Sequence, residues 1–170
     1  DIDNGYDAFS LDNDNKTLSD EPGFDEHQTH AVSARSTTTT AAGDFILIAT
    51  HASHNIAYGY DEDWTFTGFH PWGYTSFDAY LRGINTQTGE VRFVSSEQAA
   101  LFDGKTDWTV GAFYKKSEEQ LTRQYTYLSN DYISEYAPTT TAFYVQTETA
   151  LQDNLTLVAG LRAESYDFEF

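Results

Sequence analysis

The sequence contains no cysteine and no methionine among its 170 residues. The absence of cysteine excludes disulfides, thiolate metal sites and cysteine nucleophiles. Residues 1–5 lack the basic segment and following apolar stretch of a signal peptide. With no initiator methionine either, we expect the chain to start inside a longer protein.

Basic residues are scarce: 9 Lys and Arg stand against 27 Asp and Glu, which gives a formal net charge of -18. Nucleic-acid partners are not expected, because neutralising phosphates requires clustered Lys and Arg. The acidity is typical of solvated, self-repelling loops, and this interpretation is favoured over a role in binding cations.

Long hydrophobic runs are also missing. The longest strongly apolar run is Phe45–Ala49, whereas a helix needs about 20 such residues to cross a bilayer. No transmembrane helix is therefore predicted. Strands of a membrane β-barrel alternate polar and apolar residues, so the low mean hydropathy of -0.54 is compatible with such a barrel.

Aromatic residues are abundant, at 16% of the chain. Acidic disordered chains are poor in aromatics. Membrane β-barrels use aromatics in two interfacial girdles and in ligand-facing loops. Composition therefore favours a barrel over an unstructured acidic chain.

Alternating side chains predict about six β-strands of roughly ten residues, near the ~9–11 that a tilted strand needs to cross a bilayer. The predicted strands are His27–Thr37, Asp44–Ala52, Gly89–Ser96, Asp107–Lys116, Thr140–Ala150 and Leu155–Phe168. Short turns are predicted near 38–43, 102–106 and 151–154, and long loops at 1–26, 53–86 and 117–139. This asymmetry is typical of outer-membrane barrels. Part of the second loop, near Phe77–Leu81, could extend a strand above the membrane. The predicted fold class is all-β: antiparallel up-and-down strands forming part of a transmembrane barrel wall with long extracellular loops.

Alternation also assigns the two faces of these strands. Apolar side chains are expected to face lipid: Val110, Ala112, Val145, Leu157 and Leu161. Charged side chains in the opposite phase are expected to face the lumen, because Arg in mid-membrane costs ~2–4 kcal/mol; they are Arg92, Glu148, Arg162 and Glu164. A salt-bridge ladder that stiffens the wall is favoured for these charges over a role in transport. Trp108 follows a short turn, where an interfacial girdle would place it.

The segment 51–74 is the best candidate for binding a ligand, because long loops are uncommon unless functional. Its aromatic side chains could stack on or hydrogen-bond an aromatic iron chelate; they are Tyr58, Tyr60, Trp64, His70, Trp72 and Tyr74. A loop packed only on itself is an equally open interpretation.

Metal and catalytic motifs are weak. The spacings His27-x-x-His30 and His51-x-x-His54 put each pair on opposite faces of a strand. Asp12-x-Asp14 lacks the glycine and closing glutamate of a calcium loop. No nucleophile elbow or phosphate-binding glycine loop is present. We expect no enzyme activity, no cofactor and no bound metal.

Three segments carry a family likeness, in the order in which that family has them. Gly89–Ser96 is similar to an E-x-R-x-x-S strand, Asp107–Tyr114 to W-x-x-G-x-Y-Y, and Thr141–Glu164 to a hairpin that ends in G-L-R-x-E. Together they resemble TonB-dependent receptors. The resemblance implies a barrel of ~22 strands with an N-terminal plug. Residues 1–170 would then be a partial barrel domain without a plug.

The same resemblance implies a function. The expected activity is uptake across the outer membrane of a scarce nutrient, foremost an iron-siderophore complex. The expected partners are the lipid bilayer, the siderophore or a similar ligand, and a TonB-type inner-membrane protein that supplies energy through the missing plug region. The alternative is a soluble secreted β-sheet module that binds carbohydrate or another ligand.

Overall fold

The computed structural model describes residues 2–3 and 18–169, so the partial calcium pattern at Asp12 and Asp14 lies outside the described residues. The strands form one antiparallel sheet in chain order, and each pairs with the next. They are β1 (Ile2–Asp3), β2 (Phe24–Thr40), β3 (Gly43–Asp61), β4 (Phe77–Ser95), β5 (Thr106–Tyr125), β6 (Tyr132–Gln152) and β7 (Leu155–Glu169). The predicted all-β, up-and-down architecture is confirmed. None of the helices among these residues is long and apolar enough to cross a bilayer.

The six long strands have 15 to 21 residues each, rather than about ten. The predicted loop 53–86 is wrong in extent, because β3 continues to Asp61 and β4 begins at Phe77. The predicted loop 117–139 shrinks to 126–131, and residues 24–26 belong to β2. Pairing continues here because the backbone ladder does not depend on alternating polarity.

The connections at the other end of the sheet are 41–42, 96–105 and 153–154. The middle one is longer than the predicted turn at 102–106, and it contains a 3-10 turn (Glu97–Ala99) and a one-turn helical segment (Leu101–Gly104). Asp103 and Gly104 have φ of 58° and 81°, as in the turns that Asp-Gly favours. The Asp-Gly signal therefore marks a turn inside the connection.

Cross-strand register gives the sheet one apolar face. Val110 lies opposite Val145 on β6 and Phe93 on β4, and Val145 lies opposite Leu161 on β7. Val110 is 41% exposed and Leu161 is 78% exposed. Among the described residues, the buried apolar side chains are only Ile46, Ala79 and Ala142. The sheet thus has no conventional core, and its apolar face needs an apolar solvent.

A polar row closes this apolar face toward the long-loop end. The row crosses five strands through directly paired positions, namely His51, Gln87, Lys116, Thr139 and Asp167. At the short-connection end, Trp108 stacks on Phe93 with ring centroids 5.4 Å apart. Its indole N–H donates to the Ala99 carbonyl at 3.0 Å. The part of the apolar face between the polar row and Trp108 is called the apolar band. Trp108 therefore lies at one boundary of this band, where an aromatic with one polar atom is favoured.

We predict that Val110→Arg impairs assembly of the intact protein in lipid vesicles, since Arg on a lipid-facing strand costs about 2–4 kcal/mol at the bilayer midplane and less toward the interfaces. Thr109→Arg is the matched control, because Thr109 is the preceding residue and points to the opposite face. Assembly is measured as the fraction that resists SDS before heating. Equal losses in both variants would contradict the assignment of the two faces.

Candidate ligand-binding site

The candidate site lies where β3, β4 and β5 reach the long-loop end of the sheet. Tyr58 and Tyr60 on β3 share one face with Tyr80 on β4 and Arg123 on β5. This face, opposite Val110, also carries Arg92 and is called the polar face. Tyr58 contacts Tyr60 and Tyr80 at ring-centroid distances of 5.5 and 6.4 Å. These three rings form a tyrosine patch.

An ion pair with one buried partner supports the tyrosine patch. Asp78 is 2% exposed and accepts two hydrogen bonds from Arg123, at 2.9 and 2.6 Å. The Tyr80 hydroxyl donates to the same carboxylate at 3.0 Å. The Arg123 guanidinium also lies 5.4 Å from the centre of the Tyr80 ring and 5.2 Å from that of Tyr125. The hydrogen bonds with Asp78 raise the pKa of Arg123, so this guanidinium stays charged.

Carboxylates at the end of β3 shape the loop 62–76. Asp63 accepts hydrogen bonds from the Thr65 amide at 3.0 Å, from the Thr65 hydroxyl at 2.7 Å and from the Ser76 amide at 2.7 Å. Asp61 accepts the amide of Trp64 at 3.2 Å. Trp64 has a positive φ of 60°, which is uncommon for a bulky residue and which this contact helps to hold. The loop is thus ordered by its own acidic residues.

A second carboxylate contact fixes the end of the loop. Glu62 accepts hydrogen bonds from the Tyr74 hydroxyl, at 2.7 Å, and from the Ser76 hydroxyl. The hydrogen bond from Ser76 lowers the pKa of Tyr74, but the hydrogen bonds with Glu62 and Tyr125 outweigh it and raise this pKa to about 12. Tyr74 therefore remains a neutral phenol at any physiological pH.

Aromatic rings connect the loop to the polar face without a break. His70 contacts Tyr74 at 5.8 Å, Tyr74 stacks on Tyr127 at 5.6 Å, and Tyr127 meets Tyr125 at 5.7 Å. Tyr125 then leads through Arg123 to the tyrosine patch. We call this series the aromatic track. It forms a series of neighbouring rings that runs from the exposed loop 62–76 to the tyrosine patch on the polar face.

Two of the six predicted ligand residues need a correction. Tyr58 and Tyr60 do not lie in a loop, because β3 extends through both of them. Trp64, His70, Trp72 and Tyr74 do lie in the loop 62–76. His70 and Tyr74 are in contact with each other, whereas Trp72 is 92% exposed and no ring contact joins it to the other five within the described residues. A role in binding remains a prediction for all six.

Sequence reasoning missed the partners of these residues. Asp78, Arg123, Tyr125 and Tyr127 complete the aromatic track and its ion pair. Arg123, Tyr125 and Tyr127 fall in a predicted loop, and Asp78 falls in a stretch predicted only to extend a strand. No register was therefore available to bring them together. The only signal in the sequence was the repeated Tyr near 125–127.

The four predicted charged residues share the polar face. Arg162 donates to Glu164 at 2.9 and 2.6 Å, and Arg92 lies 3.8 Å from Glu90. Glu148 accepts a hydrogen bond from Gln146 at 3.0 Å. These contacts are local pairs rather than one continuous ladder, and the lumen-facing role of the four residues stays a prediction.

A glycine allows one long-range contact on this face. Tyr144 on β6 lies across Gly111 of β5 and donates to Glu90 on β4 at 2.5 Å. A Cβ at Gly111 would be 2.3 Å from the Tyr144 ring. Only glycine at 111 therefore lets a tyrosine bridge three strands.

Comparison with known proteins agrees with this geometry. The family model described as "TonB dependent receptor-like, beta-barrel" matches residues 1–170. The crystal structure of the ferric yersiniabactin uptake receptor FyuA from Yersinia pestis is similar, with a TM-score of 0.65 and 14% sequence identity. The alignment covers 88% of this chain and 25% of FyuA, so the chain spans about a quarter of that receptor. No curated protein matches the chain.

We predict that Asp63→Ala loosens the loop. A hydrogen bond to a charged acceptor stabilises a folded segment more than a neutral one does. Losing these bonds should therefore raise the amide exchange rate at Thr65 and Ser76 on the order of tenfold. Hydrogen exchange with mass spectrometry on the intact protein measures this. Asp103→Ala removes the same charge at the other end of the sheet and should leave both amides unchanged. Equal exchange in wild type and Asp63→Ala would show that Asp63 does not order the loop.

The loop should also respond to acid. Burial raises the pKa of Asp63, but its hydrogen bonds with Thr65 and Ser76 outweigh burial and lower this pKa below its usual value. Its stabilisation is therefore present above an ordinary aspartate pKa of about 3.9 and lost as pH falls through the lower folded value. Exchange corrected for intrinsic pH dependence should show protection of the Ser76 amide down to about pH 4 and its loss below. Protection that disappears near pH 6 would contradict this.

Asp61 provides the opposite case. Burial raises its pKa, so its ionised form opposes the folded loop. Asp61→Asn removes that charge and keeps the side-chain oxygen that accepts the Trp64 amide. We expect this variant to protect the Trp64 amide more strongly than wild type at neutral pH. Weaker protection would show that the charge itself holds the loop.

Proposed function

Because the chain belongs to the TonB-dependent receptor-like β-barrel family, a family of outer-membrane proteins, we propose that it forms part of the wall of a nutrient importer. The proposed cargo is an iron-siderophore complex, and the proposed energy source is a TonB-type inner-membrane protein. The match of the family model across residues 1–170 is the observation that carries this proposal.

The two faces of the sheet support a place in a membrane wall. The row that contains Phe93, Val110, Val145 and Leu161 offers side chains to lipid, and the opposite face offers charge. A soluble binding module would leave this apolar row in water, where contiguous apolar surface is unfavourable. The wall therefore accounts for both faces, and the polar one faces the lumen.

The aromatic track supports an aromatic cargo. Its rings are held by hydrogen bonds and stacking rather than by burial in a core, and Tyr74 and Tyr127 stay 37% and 55% exposed. Stacked aromatic pairs contribute ≈ 0.5–1.5 kcal/mol each beyond the area they bury. Trp72 is almost fully exposed, so its ring is accessible to a chelate that arrives from outside.

Uptake tests the proposed function. Cells whose only receptor for ferric chelates is the complete protein should accumulate radioactive iron from at least one aromatic siderophore. Accumulation should stop when the proton gradient is dissipated or the TonB-type partner is deleted. A broad panel of siderophores that gives no uptake in energised cells would overturn the proposal.

Binding tests the role of the loop separately. Trp72→Ala and Tyr74→Ala should each weaken binding of the transported chelate by up to about tenfold, the loss expected for one stacked ring. Phe102→Ala is the matched control, since Phe102 is a 76% exposed ring at the opposite end of the sheet. Unchanged affinity in both loop variants, measured by fluorescence quenching, would exclude this loop from the ligand site while leaving uptake intact.

A further inference from the structure

Two histidines on neighbouring strands converge on one hydroxyl group. The Thr29 Oγ1 atom lies 3.2 Å from His27 Nε2 and 3.0 Å from His54 Nδ1. The two imidazole centroids are 5.9 Å apart. Since a hydroxyl carries one proton, it can donate to only one of the two nitrogens. Both ring nitrogens therefore point at the same small volume.

Register explains why these side chains meet. Thr29 on β2 is directly opposite His54 on β3, and His27 is its diagonal neighbour on the same face. That face is the polar face, because His54, Ile56 and Tyr58 occupy every second position of β3 and therefore share one face. Both imidazoles are half-buried and Thr29 is exposed, so the volume between them is open to a ligand.

The pair lies on the outward side of the apolar band. His54 is three residues beyond His51, which belongs to the polar row that closes the band, or about 10 Å along the strand. From His54, two further alternate positions lead to the tyrosine patch at Tyr58. An ion or chelate entering along the polar face would therefore pass the tyrosine patch before it reaches the histidines.

We propose that His27 and His54 form a two-imidazole subsite for a borderline divalent transition-metal ion such as Cu²⁺, Ni²⁺ or Zn²⁺. Neutral imidazole suits these ions, and metal–nitrogen bonds of about 2.0–2.1 Å require two lone pairs aimed at one point. The ion would take the place now used by the Thr29 hydroxyl as common partner. This inference does not depend on which nutrient the receptor imports.

The subsite is incomplete without ligands from outside the wall. Among the residues that the structure describes, no group of three His, Asp or Glu side chains could hold a metal together. The remaining positions must come from water or from a chelator that leaves two positions open. In either case, the subsite would bind a metal ion that has two coordination positions free for the imidazoles.

The chain supplies a matched control on the opposite face. His30 lies opposite Ser53 and His51 lies opposite Val32, so His30 and His51 are diagonal neighbours with the same offset as His27 and His54. They belong to the apolar side of the sheet. Replacing this second pair removes two histidines from the same two strands without touching the proposed subsite.

The experiment uses the complete receptor in detergent with Cu²⁺ added either as the free ion or as its 1:1 nitrilotriacetate complex. The complex suppresses loose binding to the many carboxylates, and the two arms separate a free ion from a chelated one. Electron paramagnetic resonance reports nitrogen ligation and titration gives affinity. Removing a second-shell partner alone costs 10–100-fold in metal affinity, so we expect the His27→Gln/His54→Gln variant to bind at least about tenfold more weakly.

The His30→Gln/His51→Gln variant should bind within about twofold of wild type and keep the two-nitrogen signature, because its substitutions leave both proposed metal ligands in place. Each variant is accepted only if it resists SDS before heating as wild type does, and the single variants His27→Gln and His54→Gln replace a double variant that fails. Unchanged affinity without His27 and His54, or an equal loss without His30 and His51, would overturn the proposal.

Discussion

Every backbone amide and carbonyl in a lipid-embedded segment must find its hydrogen-bond partner within the protein, because the bilayer core offers none. This constraint explains the simplest feature of the chain, namely that β1 to β7 pair strictly in order and always antiparallel. Because neighbouring strands satisfy the backbone hydrogen bonds, residue type matters mainly for which face of the sheet each side chain lies on. The sheet can therefore exist with three buried apolar side chains among its described residues and no packed core.

The sequence predicted best those parts of the fold that touch lipid. The strand predicted at Leu155–Phe168 matches β7 (Leu155–Glu169) almost to the residue, because lipid imposes a clear alternation there. Alternation fades outside the bilayer, where both faces meet water. For that reason residues 53–61 of β3 and 117–125 of β5 resembled loops, although the ladder runs through them unchanged.

In the candidate site, too, some features could be predicted from the sequence and others required the structure. Residue type was enough to select Tyr58 and Tyr74, but only the structure brings Tyr58 near Arg123 and Tyr74 onto Tyr127. The sequence prediction did not pair His27 with His54, because it considered only spacings within one strand and this pair depends on the register between two strands. A turn centred between residues 40 and 41, the middle of the predicted turn, would place His27 directly opposite His54. The observed turn is centred one residue later and makes them diagonal neighbours.

The long strands have a consequence for how the protein is seen from outside the cell. From His51 to Asp61, β3 continues for roughly 33 Å past the apolar band, which at a tilt of about 40° is a height of about 25 Å. The hairpin tips therefore stand clear of the apolar layer. Free of the bilayer's demands on residue type, they can carry charged and aromatic side chains together, as the loop 62–76 does.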